Sequence, residues 1–226
     1  MTRTTNARIA GFTYLLYTAV GISSEVLMHR ATNAEGDAAK LARIASHATD
    51  VRIAIVLTLL ECFSALVLAV TLYGITRDED HELAMMGLVC RVAEGVIGSA
   101  AIPGYWGLVW LANGGAAAGA MDITTTTALR TFLLMPGPNV PVGAVFFAVG
   151  STIFSYLLLR GRMVPVALAW LGVLASALLA VTLPLQLAGF STGPLTGYYQ
   201  WLPALVFQLL LAPWLLIKGV ATPAPR

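Results

Sequence analysis

Apolar residues in this chain come in long runs rather than in strict alternation. Six runs reach the about 20 mostly apolar residues that a membrane-crossing helix needs. They lie at roughly 9–28, 51–76, 84–112, 139–160, 163–187 and 199–218. Lipid satisfies backbone polar groups only in helices or closed barrels, and these runs are too long and uniform for barrel strands. The pattern predicts an all-α fold. It is a polytopic transmembrane helical bundle of six spans, one membrane domain over residues 1–226.

Two connecting segments carry patterns of their own. Residues 34–47 place Ala34, Ala38, Leu41, Ile44 and Ala45 on one helical face, away from Asp37, Lys40 and Arg43. That predicts a short amphipathic helix on the outer membrane surface. Residues 113–138 predict a second interfacial helix around Leu129 to Leu134, stopped by Pro136-Gly137-Pro138. Within the spans, Pro103-Gly104 and Pro213 predict kinks or breaks. The small residues Gly95-x-x-x-Ser99 and Gly172-x-x-x-Ser176-x-x-x-Ala180 let helices approach closely. They read as packing faces within the chain, with an oligomer contact as the alternative.

Composition agrees with the pattern. The chain is 58% hydrophobic, only 11% charged, and its mean hydropathy is +0.81. A soluble domain carries about 25% charged residues. The shortage excludes a soluble globular enzyme, a disordered chain and a nucleic-acid binder. The net charge of +2 identifies no partner, but the placement of Lys and Arg sets orientation. Arg3 and Arg8 precede the first run, Arg160 and Arg162 sit between the fourth and fifth, and Lys218 follows the sixth. Residues 188–198 carry no charge. These positions predict both termini in the cytoplasm and a multi-pass protein of the inner membrane. A cleaved signal peptide is the competing reading of the first run, whose extension to Met28 is long for one.

Ionisable groups inside a span are expensive and mark functional sites by default. Here they are Glu25, Glu61, Arg91 and Glu94, with Arg52 at the outer edge of the second span. These five are the candidate ligand- or ion-binding residues. Glu25 and Glu61 lie at a similar depth, ~23 Å from the cytoplasmic ends at 1.5 Å per residue. If they face each other, one holds a proton or a cation sits between them. The plainer reading pairs Glu25 with Arg30 or Arg52. Arg91 and Glu94 are spaced i, i+3 and share a helix face. An intrahelical pair, with Arg91 snorkelling to the inner interface, is the plain reading. The functional one has Arg91 holding a carboxylate or lipid phosphate, with Tyr14 or Tyr73 lining the cavity.

The remaining chemistry reads as structural. Cys62 and Cys90 lie too far apart in depth for a disulfide and are expected as two free, buried thiols. His29, His47 and Asp50 lack metal-ligand spacing, so neither a metal site nor a cofactor is expected. Gly189-Phe190-Ser191-Thr192-Gly193 matches the G-x-S-x-G string of hydrolases without the strand and helix that motif needs, so no catalytic residue is assigned.

Three strings carry a family resemblance: Asn6-Ala7-Arg8-Ile9-Ala10-Gly11-Phe12-Thr13-Tyr14-Leu15, Val51-Arg52-Ile53-Ala54-Ile55-Val56 and Arg91-Val92-Ala93-Glu94. In this order they resemble a bacterial integral-membrane family known only as a domain of unknown function. The likeness runs over nearly the whole chain, Phe146-Phe147 included. It implies a small polytopic helical membrane protein and no assigned activity. The expected partners are the lipid bilayer and a small-molecule or lipid ligand held in spans one to three. A membrane-embedded enzyme with an outer-face site, and an accessory scaffold subunit, are the alternatives.

Overall fold

The structure, a computed structural model, describes residues 2–114, 142–190 and 197–221. Its elements are α1 (Arg3–Thr32), α2 (Asp37–Ser46), α3 (Ala48–Thr76), α4 (His81–Gly98), α5 (Ala101–Ala112), α6 (Val142–Arg160), α7 (Val166–Leu187), a 3₁₀ turn (Gly197–Trp201) and α8 (Leu202–Ile217). There is no strand among the described residues. The expected interfacial helix around Leu129, the Pro136-Gly137-Pro138 turn and Ser191-Thr192-Gly193 of the hydrolase-like string lie outside them.

Five stretches are long and apolar enough to cross a membrane: Ala48–Thr76, His81–Ala112, Val142–Arg160, Val166–Leu187 and Tyr199–Ile217. Each coincides with an expected run. The sixth run lies in α1, which has the length, 30 residues, but falls short of the others in apolarity. The cause is its polar side chains, several of which are turned inward. Asn6, Thr13, Thr18 and Ser24 are all buried.

The third run is one apolar stretch interrupted at Ser99–Ala100, between α4 and α5. Pro103 explains the position. A proline offers no N–H to the carbonyl four residues back, and its ring crowds that carbonyl, here of Ser99. The Ile102 N–H donates to Ser99 O instead, at 3.1 Å, in a tighter turn. Pro213 causes no such break, and α8 continues through it to Ile217.

Contacts divide the chain into two compact units. The first comprises Met1–Thr18, Glu61–Gly98 and Pro138–Arg226. Its core joins Ala10, Leu68, Phe154, Leu157, Phe207 and Leu211 from α1, α3, α6 and α8. The buried positions of α7 include Ala169, Gly172, Ser176, Leu179 and Leu183, a spacing of three and four that keeps one stripe against its neighbours. Gly172 is the tightest point. A Cβ there would lie 2.5 Å from the Phe207 ring of α8 and 2.7 Å from Ser155 Oγ of α6. Gly95 brings α4 onto α3, where a Cβ would stand 2.9 Å from Cys62 O. Both glycines expected at packing faces therefore serve contacts within the chain. Cys62 and Cys90 are free thiols, as expected, but half-buried rather than enclosed.

One end of this unit is tied by charge. Arg3 Nε donates to Ile75 O, near the end of α3, at 2.8 Å. Asp80 caps α4 by accepting the Leu83 N–H on Oδ1 at 3.1 Å, and its Oδ2 pairs with Arg160 Nη1 at 2.9 Å. The Leu83 amide, and after it Arg160, hold the Asp80 carboxyl below its ordinary value against some desolvation. The tie is therefore complete above the ordinary carboxylate range and is lost as acid takes the pH through the lowered value.

The second unit comprises Ala19–Leu60 and Ser99–Gly137. Met28, Ile44, Val51, Ile55, Leu108 and Val109 form its core. Here α2 is the amphipathic segment, shorter than expected at Asp37–Ser46 and packed against α5. Only Ile44 is buried and Leu41 half-buried, while Ala38 and Ala45 are exposed, so two residues carry the apolar face. Ser24 Oγ donates to Ala54 O at 3.1 Å and lies 2.9 Å from Thr58 Oγ1.

Because Gly172 meets a ring and a hydroxyl at once, Gly172→Ala should overpack the first unit and cost about 1–3 kcal/mol. Unfolding of the purified protein by added denaturing detergent measures it. An unchanged transition would contradict this packing.

Candidate functional site

The candidate site is built on α4, where Arg91 and Glu94 share one face within the first unit. Arg91 is fully buried at 0% exposure and Glu94 is 8% exposed. Their charged ends meet at 2.6 Å, Nη1 to Oε2. The snorkelling expected of Arg91 does not occur. The guanidinium stays inside because two helices close over it.

The first is α6. Gly150 passes so close that a Cβ there would lie 3.1 Å from Arg91 Cγ and from Cys90 Cβ. Seven residues earlier, Gly143 runs past the α4 backbone, 3.2 Å from Glu94 O on the same measure. Phe147, between the two glycines, is thereby pressed over the guanidinium, its ring centroid 5.0 Å from Arg91 Cζ. The second is α1. Tyr17 lays its ring 5.3 Å from Arg91 Cζ, nearly parallel to Phe147 at 6.4 Å between centroids. Its hydroxyl donates to Glu94 Oε1 at 2.7 Å. Tyr17 thus touches both members of the pair. Trp201 extends the aromatic wall from the 3₁₀ turn, 6.0 Å from Phe147.

Two rings lie against the guanidinium, a favourable cation–π setting. Its edges are not satisfied. Among the described residues, no Arg91 nitrogen makes a hydrogen bond of good geometry, and Glu94 Oε2 has none either. Buried charged donors are costly to leave unmade. A planar fork of this kind matches the two oxygens of a carboxylate or phosphate.

A second polar group lies further along the same unit. Thr18 Oγ1 donates to Gln208 Oε1 at 2.9 Å, one residue from Tyr17. Gln200, buried beside Trp201, accepts on Oε1 from Thr182 at 3.0 Å and from Gln186 at 2.7 Å.

Of the five candidate residues, the structure brings Arg91 and Glu94 together. Glu61 belongs to the same unit, half-buried on α3 and within electrostatic reach of Tyr17. Glu25 and Arg52 belong to the second unit and are exposed, and neither forms an ion pair among the described residues. Tyr14 is buried on the Arg91 side of α1. Tyr73 instead places its hydroxyl 3.1 Å from His81 Nε2. Sequence reading missed Tyr17, Phe147 and Trp201. The first was legible as the i+3 neighbour of Tyr14 on one face, and the second as the residue flanked by Gly143 and Gly150.

Five helices able to cross a membrane, with an arginine–glutamate pair buried among aromatic rings, define a multi-pass helical membrane protein. The chain belongs to the family described as "Domain of unknown function (DUF4386)", whose profile matches residues 9–219. No curated protein and no solved structure matches it.

Tyr17→Phe should leave Glu94 Oε1 without its donor and cost about 1–3 kcal/mol. Detergent-induced unfolding reads the loss. A change below about 0.5 kcal/mol would mean the hydroxyl bond carries no weight.

Proposed function

We propose that this protein is a six-span membrane protein that binds the anionic group of a small molecule or lipid at Arg91. The observation that carries the reading is a guanidinium at 0% exposure whose nitrogens lack well-formed hydrogen bonds. Glu94 balances its charge, Tyr17 and Phe147 flank it, and its planar fork suits a carboxylate or phosphate. Glu61 and Tyr14 are the further polar groups of that site. Glu25 and Arg52 lie exposed in the second unit.

The sixth span is α1. Two things support this: its 30-residue length and its bonds to two apolar helices, from Arg3 to Ile75 O on α3 and from Thr18 to Gln208 on α8. Arg3, Arg77 and Arg160 gather at one end of the first unit, which the positive-inside rule assigns to the cytoplasm of the inner membrane.

Native mass spectrometry after release into mild detergent tests the reading and counts subunits at once. A stoichiometric added mass, kept in wild type and lost in Arg91→Ala and Arg91→Lys, is the expected result. Lysine keeps the charge but not the fork. A retained mass indifferent to both changes, or a bare wild-type protein, would sink it.

A further inference from the structure

An anion that takes the Nη1–Nη2 end of Arg91 competes with Glu94, whose Oε2 stands 2.6 Å from Nη1. We propose that anion binding at Arg91 is coupled to uptake of one proton by Glu94, so that the protein loads an anion and a proton together. The inference rests on the anion-site reading above and adds its coupling.

In the resting arrangement Nη1 and Oε2 are 2.6 Å apart and the two charges cancel. An anion held across Nη1 and Nη2 takes Nη1 from Oε2. Glu94 then keeps one neutral donor, the Tyr17 hydroxyl on Oε1. Among the described residues, Arg91 is the one cation whose charge reaches Glu94. The groups facing it from each neighbouring helix are not positive. From α1 come the hydroxyls of Tyr14 and Tyr17. From α3 comes the Cys62 thiol. From α6 come Phe147 and the glycine backbone at 143 and 150. A lone buried carboxylate is strongly disfavoured. Protonation removes that cost.

The charges balance. Arg91 (+) with Glu94 (−) becomes Arg91 (+), anion (−) and neutral Glu94, so the buried site stays at zero. One O–H bond forms at Oε2, and its proton comes from solvent. Tyr17 keeps its own proton and continues to donate to Oε1.

The chemistry is shared by a free carboxylate and the phosphodiester of a lipid headgroup. The full chain in phosphatidylcholine nanodiscs is titrated with sodium acetate by calorimetry, in two buffers of different ionisation enthalpy. A parallel set of discs contains phosphatidylglycerol, whose retention is followed by native mass spectrometry across pH. Wild type should take up about one proton per anion, and its affinity should fall about tenfold per pH unit where Glu94 is ionised in the free protein. Glu94→Gln should bind with no proton uptake and no pH dependence. Tyr17→Phe, which keeps both charges, should still take up about one. Weaker acetate binding in phosphatidylglycerol discs, with lipid retention that declines as pH rises, assigns the site to the headgroup; undisturbed acetate binding assigns it to a free anion. Binding of either probe without proton uptake and with flat pH dependence overturns the coupling and leaves the anion site standing. Failure of both probes to bind overturns both. Should Glu94→Gln not fold, the two-buffer heats of wild type still decide.

Discussion

A guanidinium buried where no water reaches it must be neutralised and held in place, and that constraint organises the first unit of this protein. Arg91 is neutralised by Glu94, one turn along α4, and is held by the rings of Tyr17 and Phe147. Each partner comes from a different helix, so α1, α4 and α6 meet at the pair. Charge at depth is expensive in a membrane. Here the expense is met locally, by a counter-ion within hydrogen-bonding distance and by aromatic faces rather than by solvent.

The glycines on α6 make the arrangement possible. Gly143 and Gly150 are seven residues apart and let α6 run against α4 with nothing between backbone and side-chain stem. Phe147 between them is forced onto the guanidinium. The same device recurs at Gly172, where α7 meets Phe207 of α8 and Ser155 of α6. Between lipid-facing helices there is little hydrophobic drive for association, so close van der Waals packing at small residues carries it. The polar side chains that lower the hydropathy of α1 belong to the same economy. Thr18 bonds Gln208, Tyr17 bonds Glu94, and the helix trades apolarity for contacts inside the bundle.

Much of the fold was legible because it depends on local composition. Runs of apolar residues located five helices, Pro103 located the break between α4 and α5, and i, i+3 spacing paired Arg91 with Glu94. What escaped depends on which face of a helix meets which neighbour. A window average penalises a helix that buries Thr13, Tyr14 and Thr18, so α1 looked like the other runs by eye yet falls short of them in apolarity. Trp201 packs its ring on Phe147, a contact that its position along the chain does not announce. Aromatic walls assembled from three separate helices leave no mark in any one of them.

The proposed anion site requires the Arg91–Glu94 pair to be retained for binding rather than for stability. Replacing one member strands the other, whereas replacing both with apolar residues of similar volume removes the problem altogether. The direct measurement is the unfolding free energy of Arg91→Met, Glu94→Leu and the double variant, against wild type in the same detergent. The account predicts losses of about 3–5 kcal/mol for each single change and a double variant as stable as wild type or more so. A double variant that loses as much as the singles would show that the pair holds the fold together, and would contradict the account.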